Sequence, residues 1–335
     1  MRRARILGAG ETAFYHVTSR VVDRRIVFDD DAKEFFRRTL RRLEAFMGLR
    51  VLTYCAMGNH FHVLVEVPRR REISDDELLE RVEGFHPPAR ARALREEFET
   101  LREEAERTGD ARRLDAWRAR FLARMGSLSA FGKELKERVS RRHNRLRGRR
   151  GTLWEERFKS VLIEGSEGAL AAVAAYVDLN PVRAGLVDDP AQYRFCGYAE
   201  ALGGGEAARE GLRRLARIAG RGAEDSWRPT ARFYRTLLFG AAEGRGVDPE
   251  RARRVLAEGG RLSLGELISL RVRYFSDGLA LGSKAFLEGV FEANRDRFGP
   301  KRTSGARPLR GARVEFACLR DLRREAILPP GGPPG

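Results

Sequence analysis

Cysteine is scarce. The 335 residues hold three, Cys55, Cys196 and Cys318, at no metal-ligand or disulfide spacing. That argues against a thiolate zinc site and fits a reducing cytoplasm. Long apolar runs are missing as well. No stretch approaches the ~20 residues of a membrane-spanning helix, and the basic start (Arg2, Arg3, Arg5) lacks the apolar run of a secretion signal. There is no phosphate-cradling glycine motif and no long repeat. Acid is in deficit, with 48 Asp+Glu against 65 Lys+Arg, a formal net charge of +17 and a pI near 10.6. A polyanionic partner is the natural inference, nucleic acid first and an acidic membrane surface second. A GC-rich genome would also raise Arg, Ala and Gly. The length suggests roughly two domains.

What is present centres on Gly58-Asn59-His60-Phe61-His62-Val63-Leu64-Val65-Glu66-Val67. The run alternates with period two and predicts a β-strand. Phe61, Val63, Val65 and Val67 share one face, and His60, His62, Leu64 and Glu66 the other. Two imidazoles at i and i+2 point the same way, close enough to share one divalent metal. Neutral imidazole suits Zn, Fe, Ni and Cu and, with oxygen co-ligands, Mn. Taken alone, a His-x-His is more often a hydrogen-bonded pair on a half-exposed sheet.

Around this strand the chain reads as α+β. Phe14 to Arg20 is a first strand, with His16 either structural, supporting a neighbouring ligand, or touching phosphate. Asp29 to Asp31 open a helix through Met47, with Phe35, Phe36, Leu40, Leu43 and Phe46 as its apolar stripe and Gly48 as its end. Arg50 to Met57 is a second strand, joined to the histidine strand by the Gly58-Asn59 turn. Ile73 to Gly84 is a helix with Ser74 and Glu77 at capping-box spacing. Residues 87–125, dense in Arg and Glu, read as an inserted helical hairpin with one apolar seam. The order predicts a ferredoxin-like or RNA-recognition-like antiparallel sheet with helices on one face and the histidines on the open face.

Leu128 to about His143 is a further helix running into the most basic segment of the chain. Its cations are Arg141, Arg142, Arg145, Arg147, Arg149 and Arg150, followed by Trp154, Arg157, Phe158 and Lys159. Cations for phosphates and aromatics for bases are what a single-strand binder needs. A charge run is otherwise a solvated face, and Trp154 can equally be core. Gly165 to Asn180 is a helix of small residues, ended by Pro181. Tyr176 and Asn180, four apart, share a face there. The plainer readings are a packing aromatic and a C-terminal cap. Residues 1–200 are expected as one domain, 201–298 as a helical accessory domain with a loose helix-turn-helix outline, and 299–335 as a basic, then Pro/Gly-rich tail, partly disordered.

Three blocks in this order resemble the REP-associated tyrosine transposases, a branch of the single-tyrosine HUH endonucleases. They are Met57 to His62, Arg149 to Ser160, and Tyr176-Val177-Asp178-Leu179-Asn180-Pro181-Val182-Arg183-Ala184-Gly185-Leu186. The resemblance spans roughly residues 10–190. It implies that His60 and His62 bind Mg²⁺ or Mn²⁺, that Tyr176 is the nucleophile, and that Asn180 stands where a third ligand is expected. Many relatives carry His where this chain has Asp178. It further implies a single-stranded or hairpin DNA substrate at palindromic repeats, a 5′-phosphotyrosyl intermediate, a cytoplasmic, nucleoid-associated protein with no membrane partner, and a monomer or homodimer. Two alternatives are a replication initiator or relaxase with the same chemistry, and a non-catalytic DNA- or RNA-binding regulator on the same sheet.

Overall fold

The structure is a computed structural model and describes residues 5–8, 10–221, 226–239, 275, 278–308 and 317–320. Strand β1 (Thr12–Arg20) is rich in β-branched and aromatic residues and lies between two antiparallel neighbours. These are β3 (His60–Pro68), reached through helix α1 (Asp30–Met47) and β2 (Arg50–Ala56), and β4 (Lys159–Ile163). The resulting order β2-β3-β1-β4 is that of a split β-α-β ferredoxin-like sheet. The expected α+β class is what the chain adopts.

Helix α1 begins where Asp29 accepts from the Ala32 amide at 2.9 Å and ends at Gly48, whose φ of 64° is the left-handed conformation that glycine takes without strain. Its Phe36, Leu40, Leu43 and Phe46 are buried. Phe36 packs on Phe61 of β3, ring centroids 5.0 Å apart, so the apolar face of the histidine strand forms the core under α1. Helices α2 (Asp75–Phe85), α3 (Pro88–Thr108), α4 (Arg112–Leu122) and α5 (Leu128–Leu146) follow. Ser74 caps α2 by accepting from the Glu77 amide. The seam of the charged hairpin is real: Leu94, Phe98, Leu101, Leu114, Trp117 and Phe121 are all buried. It closes on α1 through Phe121 and Phe46, 6.5 Å apart.

The other face of the sheet was expected to be open. Instead α6 (Glu167–Asp178) lies on it, because Ala169, Ala172, Ala174 and Ala175 are small enough to bring the helix backbone against β2 and β3. A short α7 (Asn180–Arg183) and α8 (Gly197–Leu202) follow. Helix α9 (Glu206–Ile218) also sits on this side. A Cβ at Gly211 would stand 2.4 Å from the Val51 carbonyl, so only glycine permits that approach. Arg214 of α9 pairs with buried Glu66 of β3 at 2.8 Å.

Beyond residue 200 the described residues differ from a free-standing helical domain. Strand β5 (Ala280–Gly282) pairs in parallel with β4, and β7 (Ala317–Leu319) and β6 (Arg307–Pro308) continue the same sheet to seven strands. Helix α10 (Trp227–Phe239) packs on α9 and α6, and α11 (Lys284–Glu292) packs on β5 and β7. The reason is pairing: the edge of β4 presents main-chain groups, and Leu162 and Glu164 amides bond to the Leu279 and Leu281 carbonyls at 2.9 Å. Within the accessory domain short helices are also expected over Asp248–Glu258 and Ser263–Tyr274; both, and the end of the tail, fall outside the described residues.

Candidate active site

The site lies where β3 begins. His60 and His62 have ring centroids 5.1 Å apart in an edge-on arrangement, so the period-two spacing does place both imidazoles together. Tyr176 comes from α6 on the covering layer and sets its ring edge-on to His62 at 5.5 Å. His62 and Tyr176 are 5% and 8% exposed, enough burial to remove most water and leave a narrow approach. Burial also disfavours imidazolium. His60 is pushed down to about 4, chiefly by desolvation and then by Arg20 and Arg183, and His62 is lowered further by desolvation and its two histidine neighbours. Both rings are therefore neutral at physiological pH and keep a lone pair for a cation.

Asn180 stands at the junction of α6 and α7. Its Nδ2 donates to the Tyr176 and Val177 carbonyls at 3.0 and 3.2 Å, so the capping role open from sequence is the one its amide nitrogen performs. With both amide hydrogens directed at main-chain oxygens, Oδ1 is the atom left to ligate. Among the described residues no group of three or more His, Cys, Asp or Glu is gathered as a metal cluster. The donors expected from sequence are the His60 and His62 imidazoles, which the structure brings together, and the Asn180 amide oxygen, carried four residues after Tyr176. That set fits an ion such as Mn²⁺, which accepts nitrogen alongside amide and water oxygens.

Four further residues frame the site and were not singled out from sequence for it, or only loosely. His16 of β1 is completely buried; its Nε2 lies 3.0 Å from His62 Nδ1 and its Nδ1 2.6 Å from the Phe275 carbonyl. Desolvation pushes His16 down to about 4. Phe275 stacks obliquely on Tyr176 at 4.8 Å. Asn59 Oδ1 meets His60 Nδ1 at 2.7 Å. Arg183 of α7 places its guanidinium carbon 4.1 Å above the Tyr176 ring and donates to the Tyr176 carbonyl at 2.6 Å. The sequence signal for Arg183 was its place seven residues after Tyr176, two helical turns on. For Phe275 there was none, since 99 residues separate it from Tyr176.

Asp178 faces away from the histidines into a different cluster. It is fully buried and accepts from Thr53 Oγ1 at 2.7 Å, the Tyr198 amide at 3.1 Å and the Tyr234 hydroxyl. A bulge after Val51 turns Thr53 toward it. Desolvation raises its carboxyl to about 6 despite these donors.

The basic segment reaches the same end of the sheet. Arg20 pairs across from His60, the Glu155 amide bonds to the Arg20 carbonyl at 2.9 Å, and the Val22 amide bonds to the Leu153 carbonyl at 3.1 Å. Leu153 to Glu155, which directly follow the basic run, are thereby stitched beside the histidine turn. Arg145 and Arg150 are exposed and Arg149 half-buried. Arg147 pairs with Asp29 at 3.1 Å, Arg141 with Glu137 at 3.1 Å, and Lys159 with Glu156 at 3.0 Å, all well solvated. Arg142 lies over the Phe35 ring and Arg157 is exposed. Of the two roles open to Trp154 from sequence, core and base-stacking, the structure gives it the core one and not a DNA-facing one. It is 6% exposed, donates from Nε1 to the Lys136 carbonyl at 3.1 Å, and packs on Phe28 and Phe61, so its faces belong to the core.

No helix among the described residues is long and apolar enough to cross a membrane. No curated protein matches the chain. A solved structure described as the REP-associated tyrosine transposase bound to a REP hairpin is 15% identical, with a TM-score of 0.36; the match covers 61% of this chain and 86% of that one. Residues 11–109, which carry β1, α1, the histidine hairpin and the first inserted helices, match the family of IS200-like transposases.

Proposed function

We propose that the chain is a metal-dependent single-strand DNA endonuclease and strand transferase of the tyrosine type, acting at hairpin or palindromic-repeat DNA. The observation that carries it is the meeting of Tyr176 with the His60–His62 pair, from two elements 114 residues apart, at the end of the sheet flanked by the basic segment. A core aromatic has no need of two neutral imidazoles and a guanidinium around it. His60 Nε2, His62 Nε2 and Asn180 Oδ1 would hold Mg²⁺ or Mn²⁺, which when bound supplies Lewis acidity to a non-bridging phosphate oxygen.

The protein's own groups account for the rest. The Tyr176 phenol oxygen attacks the scissile phosphorus, a P–O bond to tyrosine forms, and the bond to the 3′ oxygen breaks. The products are a 5′-phosphotyrosyl strand and a free 3′ hydroxyl. Phenoxide leaves more readily than an alkoxide, so a DNA hydroxyl can reverse the step. Arg183, over the ring, places positive charge where the phenol oxygen and phosphate carry negative charge. The arginines from Arg141 to Arg150 provide phosphate contacts that position the strand without reading bases.

Incubation of the purified protein with end-labelled hairpin DNA and Mn²⁺, resolved on a denaturing gel, tests this. A covalent adduct is expected with the wild type and none with Tyr176→Phe, which removes one oxygen and almost no volume. Peptide mapping of the adduct to any other tyrosine would overturn the assignment.

A further inference from the structure

Two main-chain carbonyls dictate the protonation pattern of the histidine pair. A carbonyl oxygen can only accept. Phe275 O at 2.6 Å therefore requires a hydrogen on His16 Nδ1, and a neutral His16 then has its lone pair on Nε2. That lone pair faces His62 Nδ1 at 3.0 Å, which must donate, leaving the His62 lone pair on Nε2. The same logic runs independently on the other side. Asn59 Nδ2 donates to the Arg24 carbonyl at 2.7 Å, which fixes the orientation of the amide. Oδ1 then faces His60 Nδ1 at 2.7 Å, which must carry the hydrogen. His60, too, keeps its lone pair on Nε2.

We propose that His16 and Asn59 are positioning residues that lock both metal-binding imidazoles in the Nδ1–H form, so that each presents Nε2 to one cation. This rests on the metal-dependent reading above. The orienting partner of a ligating histidine is commonly a carboxylate, a backbone carbonyl or water; here a third histidine takes that place for His62 and passes the constraint to Phe275. The Arg24 anchor is itself held in an uncommon backbone shape. Asp23 and Arg24 have φ of 57° and 55°, the left-handed region that non-glycine residues rarely occupy, and such strain gathers at functional sites. The site is thus tied on one side to the loop after β1 and on the other to Phe275, 99 residues beyond Tyr176 in the chain. Residues after 200 acquire a role in this way: they supply the acceptor at the end of the histidine relay.

Two measurements on the full-length protein test the proposal. Long-range ¹H–¹⁵N correlation spectra of the metal-free protein, labelled at histidine, report the tautomer of each ring. Nδ1–H is expected for His16, His60 and His62, although free neutral imidazole favours Nε2–H. Nε2–H at any of the three would overturn the proposal. Mn²⁺ titration by calorimetry should then show about 10–100-fold weaker binding for His16→Phe and for Asn59→Ala, the usual loss when such a partner is removed. His16→Gln, which keeps a donor and an acceptor, should bind more tightly than His16→Phe. Asn59 lies in a half-buried turn outside the core, so its variant remains informative if the His16 variants fail to fold. Wild-type Mn²⁺ binding with undiminished affinity in both the His16→Phe and Asn59→Ala proteins would overturn the proposal and leave the metal reading standing. A wild-type protein that binds no Mn²⁺ would overturn both.

Discussion

Replacing Tyr234 by Phe removes one oxygen atom from α10 and takes from Asp178 one of its three described oxygen- or nitrogen-bound donors. The Asp178 carboxyl is fully buried and is raised from 3.8 to about 6, desolvation outweighing the hydrogen bonds. A raised acid is a group whose contribution to stability is present below its unfolded pKa and lost as pH climbs through the folded one. At 1.36 kcal/mol per unit, ionising it in place costs about 3 kcal/mol between pH 4 and 8. The hydroxyl of Tyr234 matters most once the carboxylate is charged. A hydrogen bond to a charged acceptor is worth about 1.5–3 kcal/mol and a neutral one about 0.5–1.5 kcal/mol. Urea unfolding of Tyr234→Phe should therefore show a loss of about 2 kcal/mol at pH 8 and about 1 kcal/mol at pH 4.5, scaled from those ranges. The Tyr198–Tyr234 ring contact at 5.6 Å survives the substitution, so packing should be nearly unchanged. In Asp178→Asn the pH-dependent part of this cost should vanish, and its stability relative to wild type should rise between pH 4.5 and 8. Equal losses for Tyr234→Phe at both pH values, or the same pH slope in wild type and Asp178→Asn, would refute the reasoning.

Other outcomes follow from the same geometry. His62→Ala should abolish cleavage while DNA binding measured by anisotropy stays within a few-fold, because affinity comes mainly from phosphate contacts; cleavage at the wild-type rate in EDTA would remove the metal from the account. Neutralising Arg145, Arg147, Arg149 and Arg150 together should flatten the dependence of log K on log salt by about 0.7 per lost contact on a single strand. An unchanged slope would return these residues to plain solvated surface. Trp154→Ala should cost about 3–5 kcal/mol of stability in urea, as for a buried large aromatic, and a loss below about 1 kcal/mol would contradict its core placement.

The period-two pattern from His60 to Val67 was sufficient for the strand, its two faces and the pairing of the imidazoles, because side-chain direction in a strand depends on nothing beyond the strand itself. The caps at Asp29, Ser74 and Gly48 were legible for the same reason: they answer main-chain groups three or four residues away. The three motif blocks carried the family resemblance, and the match over residues 11–109 accords with the first of them. Trp154 was not decidable, since a tryptophan after a basic run serves a core and a base equally well until its Nε1 partner, Lys136, is known. Nor were the covering of the histidine face by α6, the extension of the sheet by β5, β6 and β7, or the relay from Phe275 through His16 to His62. Each depends on residues brought together across 46 to 259 positions, where local periodicity is silent and only the closing of the core fixes which groups meet.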